Sequence, residues 1–219
     1  MPNVDLILGA DSSMKRSVRT EPTQRRSSQR LDALLDAAAD IVDESGFERL
    51  TTQMVAERAG ASIGTVYRYF PDRVAVVNAL RERAIRRYRE RVVDDMAGTS
   101  PDTWWDLVDI ALDVCITMYR DEPGFTVVHA GRRDRDDDHE PEFSTRLARL
   151  IASEFEVEVE DDVLSFRLGV ALEIGHALIN RAFERSIDGD EAYLAEARSL
   201  VRTYLFEHVG TPRAASTAA

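Results

Sequence analysis

The chain has 219 residues, 44% hydrophobic and 31% charged, with a formal net charge of −12. That length makes one or two domains with a packed core, and no apolar run approaches the roughly 20 residues that a membrane span needs, so no membrane partner is expected. A single cysteine, Cys115, rules out an internal disulfide and a cysteine-rich metal site, so a reducing cytoplasm is the expected compartment and no cofactor or metal is expected.

Residues 4–10 (VDLILGA) are too short and too acidic at their flanks for a secretory signal. Residues 1–28 are polar, carry Arg16, Arg19, Arg25 and Arg26, and are expected to form a disordered basic arm. Such an arm either lies along phosphates or is a free tail; Met14 is an alternative start. Residues 29–45 predict an amphipathic helix with Leu31, Leu34, Leu35, Ala38, Ile41 and Val42 on one face, ended by Gly46. Phe47 and Leu50 then fold the chain back onto it.

Residues 51–70 (TTQMVAERAGASIGTVYRYF) read as two short helices around a tight turn. Thr51 or Thr52 caps the first, Gly60 makes the turn, and Ser62 caps the second, which ends near Phe70 before Pro71. Small Ala56 before Gly60 and Val66 after it allow the close crossing of a helix-turn-helix. The second helix is unusually rich in hydroxyls and aromatics: Ser62, Thr65, Tyr67, Arg68 and Tyr69. Tyr and Thr donate to phosphate oxygens and touch thymine methyls, and Gly64 leaves the surface bare for a groove floor. The competing reading is a solvated hairpin with half-packed tyrosines.

The run from Gly64 to Arg73, Gly-Thr-Val-Tyr-x-Tyr-Phe-Pro-x-Arg, together with the helix before it, resembles the tetracycline-repressor (TetR) family of bacterial transcription regulators over about 50 residues. Ile63, where members often carry a polar or basic residue, and Arg73, where Lys is commoner, depart from the pattern. The resemblance implies an all-α chain: a three-helix DNA-binding head at 29–75, a helical ligand-binding and dimerisation body at 76–208 and a disordered tail at 209–219. It also implies phosphate contacts from Thr52, Ser62, Tyr67 and Arg73, and base or mixed contacts from Gly64, Thr65, Arg68 and Tyr69.

Beyond the head, a fourth helix is expected from Pro71 to about Ala97. Its arginines (Arg81, Arg83, Arg86, Arg87, Arg89 and Arg91) read mostly as a solvated face. Residues 102–120 predict a fifth helix and 143–155 a further one. The acidic run 131–142 reads as a solvated loop rather than a cation site. Residues 156–162 alternate like a strand but have no partner, and read as a connector. Residues 163–185 are apolar or small almost all round, which requires burial on two sides. After a turn at 188–190, a last helix runs over 191–208. Two such helices from each of two chains would make a four-helix homodimer seam.

Residues 1–91 hold 16 Lys and Arg against 13 Asp and Glu, whereas 92–219 hold 12 against 27. An acidic body with a locally basic head repels DNA except at the head. The family also implies a small, mostly apolar effector. Candidate lining residues are Trp104, Trp105, Met118, Phe125, His129, Glu173, His176, Asn180 and Phe183, each of which could equally be core. The expected function is a ligand-responsive regulator, a repressor by resemblance, binding palindromic double-stranded DNA as a dimer. An enzyme is not expected, because no nucleophile–base or metal constellation is present. An acidic helical adaptor for protein partners is the alternative, but it leaves the Tyr, Thr and Arg face without a purpose.

Overall fold

The computed structural model describes residues 5–8, 22–129 and 143–213, and every regular element among them is helical. In order these are α1 (Asp5–Leu8), α2 (Pro22–Ser45), a 3-10 turn (Phe47–Arg49), α3 (Thr52–Arg58), α4 (Ile63–Tyr69), α5 (Arg73–Thr99), α6 (Trp104–Asp121), a second 3-10 turn (Phe125–His129), α7 (Phe143–Glu154), α8 (Asp161–Arg185) and α9 (Glu191–His208). The fold is all-α, with a helix-turn-helix head and a helical body. The described residues divide into two compact units. One holds 22–87 and 121–129, the other 5–8, 88–120 and 143–213.

In the first unit, α2 buries Leu34, Leu35, Ala38, Ile41 and Val42, as its periodicity requires. It starts at Pro22, however, and not at 29, so part of the expected disordered arm is helical. Proline suits a first helical position, and the glutamines and arginines that follow are good helix formers. Residues 26–30 are all exposed, so no apolar period marks this extension. The arm is corrected again at α1, where Ile7 is fully buried and the helix packs on α7. Residues 9–21, with Met14, and the acidic run 131–142 lie outside the described residues.

Pro71 is not the first residue of α5. Asp72 caps that helix by accepting from the Ala75 amide at 2.8 Å, which moves the start to Arg73. Two of its arginines are buried rather than solvated. Arg83 donates to Asp36 Oδ1 at 2.6 Å and to the Leu35 carbonyl at 3.0 Å, and Arg81 donates to the Val128 carbonyl at 3.1 Å. Arg87 pairs with Glu122. The Gly124 amide donates to Asp43 Oδ1 at 2.8 Å. These bonds place the segment around Gly124 on α2 and α5, within the first unit.

In the second unit, α6 buries Trp104, Leu107, Val108, Ala111, Leu112, Cys115 and Met118. The close approach of α8 to α6 and α9 depends on Gly175, where a Cβ would sit 3.1 Å from Leu112 and 3.2 Å from Val201. One side of α8 is buried through Leu164, Leu168, Ala171, Leu172 and Ile179, while Val163 and Phe166 on another side are exposed. The start of α9 follows from its turn, since Asp190 accepts from the Ala192 amide at 3.1 Å. No strand forms at 156–162. The tail does not begin at 209, because Val209 is buried as an apolar residue closing the helix end.

Burial pushes the Cys115 thiol up to about 12. Thiolate is the reactive form, so Cys115 should resist alkylation by iodoacetamide at pH 8 in the folded chain and react once urea unfolds it. Stoichiometric labelling of folded protein, read by mass spectrometry, would contradict this burial.

Candidate nucleic-acid interface

The helix-turn-helix is built from local bonds. Thr51 settles the capping choice, its hydroxyl accepting from the Met54 amide at 3.1 Å. At the other end of α3, Gly60 takes φ 58°, its amide donates to the Glu57 carbonyl at 3.2 Å, and the Ala61 amide donates to the Ala56 carbonyl at 2.9 Å. That pair of bonds is a Schellman ending, which a glycine in the left-handed region makes without a Cβ penalty. Ser62 then caps α4, its Oγ accepting from the Thr65 amide at 3.2 Å and lying 2.9 Å from Thr65 Oγ1. Val55, Ala56, Val66, Phe70 and Leu50 are buried, and α3 packs on both α2 and α4. Arg58 grips Glu44 through both guanidinium nitrogens, at 3.0 and 2.5 Å, tying α3 to α2.

The exposure of α4 divides its residues into two sets. Ile63, Gly64, Tyr67 and Arg68 are exposed, whereas Thr65 and Tyr69 are half-buried. Residues two apart point in nearly opposite directions on a helix, so Tyr67 and Tyr69 cannot share a face. Tyr67 is 54% exposed. Tyr69 turns to α2, with its hydroxyl 3.2 Å from Ser27 Oγ and 3.3 Å from Arg68 Nη2. The bond with Ser27 and then the Arg68 guanidinium hold the Tyr69 phenol below its usual range. Arg68 also lies over the Tyr69 ring at 5.2 Å. Thr52 is half-buried at the start of α3. Arg73 donates to the Phe47 carbonyl at 2.7 Å, so this expected phosphate contact also closes the turn after α2.

The outward residues Gly64, Tyr67 and Arg68 thus lie together, and the capping residues Ser62 and Thr65 lie at one flank. Tyr69 is an anchor between α4 and α2. Sequence reading missed Ser27 as its partner, because the helical extension carrying Ser27 has no apolar period.

A Cβ at Gly64 would meet only Ser62 Oγ, at 3.9 Å, so nothing inside the chain demands glycine there. Gly64→Ala is therefore expected to leave thermal stability unchanged or raise it by about 0.5–1 kcal/mol, since alanine is the better helix former. It should weaken DNA binding in the same preparation if the helix surface meets a groove. Unchanged binding in a gel shift would remove Gly64 from the interface.

The expected effector residues do not converge in one unit. Phe125 and His129 belong with the head, because their 3-10 turn packs on α2. Trp104 and Met118 are sealed in the body core, Trp104 against Trp105 and Phe206. Only the end of the set on α8 meets α6 at a partly open place. There Phe183 stacks on Tyr119 with centroids 4.8 Å apart, and the Tyr119 hydroxyl donates to Asn180 Oδ1 at 3.4 Å. His176 is half-buried one turn earlier. The groove between α6 and α9, lined by Asp109, Asp113, Arg198 and Arg202, includes Trp105 but none of the others. Among the described residues no helix is long and apolar enough to cross a membrane, and no group of three His, Cys, Asp or Glu could hold a metal ion.

A capped helix-turn-helix with an open second helix, in a chain whose other regular elements among the described residues are helical, is the build of a DNA-binding transcription regulator. Residues 34–80 match the family described as bacterial regulatory proteins, tetR family, and residues 102–209 match the tetracyclin repressor-like C-terminal domain. A solved TetR-family transcriptional regulator from Streptomyces coelicolor is 35% identical, covering 82% of this chain and 99% of that one with a TM-score of 0.69. The chain belongs to the TetR family, whose members are regulators and not enzymes. A TetR-family regulator from Pectobacterium atrosepticum shares the fold at 19% identity and a TM-score of 0.64, over 89% of this chain and all of that one. The HTH-type transcriptional repressor KstR of Rhodococcus jostii is 36% identical over 73 residues, 33% of this chain and 32% of KstR. The matches span less than two thirds of the curated relatives' length.

Proposed function

We propose that this regulator binds a palindromic operator as a homodimer, represses from it, and is released by a small, mostly apolar effector. The observation that carries the DNA contact is the open α4 face, where Gly64, Tyr67 and Arg68 stand outward on a helix whose other side is locked by Val66 and Phe70. Thr52, Ser62, Tyr67 and Arg73 would hold phosphates. Gly64, Thr65 and Arg68 would meet base edges, and Tyr69 would support Arg68 from behind.

Dimerisation is supported by the exposed apolar side chains Val163 and Phe166 on α8 and Leu200 on α9. One short recognition helix reads only a few base pairs, and two related by a dyad read half-sites about one DNA turn apart, or a multiple of that. The effector reading rests on the family and on Asn180 and Phe183 beside Tyr119, with His176 one turn before Asn180 on α8. Repression rests on the likeness to the transcriptional repressor KstR. Linkage requires that an effector preferring the non-binding form weaken DNA affinity by the factor with which DNA weakens its own.

Selection of duplexes from a random pool by the full-length chain, followed by binding across a salt series, tests the reading. A preferred palindrome with a steep salt slope is expected. Failure to enrich any sequence at low ionic strength would refute it, and a monomer in sedimentation at micromolar concentration would refute the dimer.

A further inference from the structure

The tip of α4 carries an apolar side chain that the protein covers only in part and that no polar contact explains. Ile63, the first residue of the helix, is 36% exposed. It shares its face with Tyr67, one turn on, and the inward positions are filled by Val66 and Phe70. The part of a β-branched aliphatic residue left in water at a first turn gains little, because its rotamers are restricted there and it offers no group to water or phosphate. Single exposed apolar residues are common on protein surfaces. This one, however, stands at the end of the helix where helix-turn-helix proteins present their base contacts. Gly64 beside it adds no side chain to hold the backbone off a groove floor.

Among the edges that base pairs show in the major groove, the apolar feature is the thymine C5-methyl group. We propose that Ile63 is a specificity-determining residue that packs on one thymine methyl in each half-site. The inference rests on the reading of α4 as the groove-entering helix. Tyr67 would offer its hydroxyl on the same face, so the half-site would combine a polar contact with an apolar one about one helical turn away along α4.

The test uses the full-length chain and the duplex it enriches from a random pool. Each thymine is replaced in turn, in both half-sites, by deoxyuridine, which lacks only the methyl group. Wild type should show one sensitive position, losing about fourfold per half-site and about fifteenfold for both, the worth of one buried methyl. Ile63→Ala should bind more weakly, bind the thymine and uracil duplexes equally within about twofold, and melt as wild type does. Ile63→Val should keep most of the sensitivity.

A uracil scan that is flat for wild type overturns the proposal. So does an Ile63→Ala variant that keeps the full uracil penalty, since another side chain would then read the methyl. In both cases a preferred duplex still exists and the DNA-binding reading survives. A pool that enriches nothing brings down that reading and this inference together.

Discussion

For the proposed dimer on a palindrome, Arg68→Ala is expected to weaken binding by about 2–6 kcal/mol, the sum of about 1–3 kcal/mol per half-site for a guanidinium on a guanine edge. Preference at one base pair of each half-site should relax at the same time. The geometry favours Arg68 over the other outward residues. It is exposed on α4, and its guanidinium is steadied by the Tyr69 hydroxyl at 3.3 Å and the Tyr69 ring at 5.2 Å. Tyr69 is itself fixed by Ser27. An arginine positioned before binding loses less side-chain freedom when it engages a base. Arg73→Ala offers the contrast, a roughly uniform loss on all duplexes with a shallower salt slope, as for a phosphate contact. Equal losses on all sequences for Arg68→Ala would move Arg68 to the phosphate class.

Gly124→Val is expected to destabilise the head by about 3 kcal/mol or more. Gly124 has φ 73°, and an added Cβ would lie 2.8 Å from Ala39 Cα and 3.2 Å from its carbonyl oxygen. Both neighbours are backbone on α2, which cannot swing aside as a side chain can. Strain at a left-handed residue costs about 1–3 kcal/mol, and overpacking costs a similar amount. Gly60→Ala separates the two effects. Its φ is 58° with nothing within 4 Å, so only the conformational cost of about 1–2 kcal/mol applies. Urea unfolding of both variants checks the difference. A Gly124→Val protein as stable as Gly60→Ala would mean that the segment does not pack on Ala39.

The DNA-binding hairpin was legible because its signals are local. Gly60, the capping hydroxyls of Thr51 and Ser62, and Pro71 each act within a few residues, and the last helix was legible to its ends from the Asp-Gly-Asp turn before it. The start of α2 was not. Residues 26–30 are exposed and leave no hydrophobic period. Arg81 and Arg83 looked like solvated charges because their partners, the Val128 and Leu35 carbonyls and Asp36, lie 47 or 48 residues away in the chain. The effector set divides between the two units for a related reason. Aromatic and polar types on apolar helices mark core and pocket alike, and only packing shows that Trp104 and Met118 are sealed while Phe125 sits with the head.

The sequence alone determined the helical class, the capped hairpin, the near-complete chain order of elements and the family, because helix periods, caps and glycine turns are short-range properties. Tertiary structure alone decided which face of α4 stands open, that Tyr69 is an anchor where Tyr67 is free to reach outward, and that Gly124 and its neighbours pack on α2. Those outcomes depend on what lies opposite each residue in space, and composition and spacing carry no record of that.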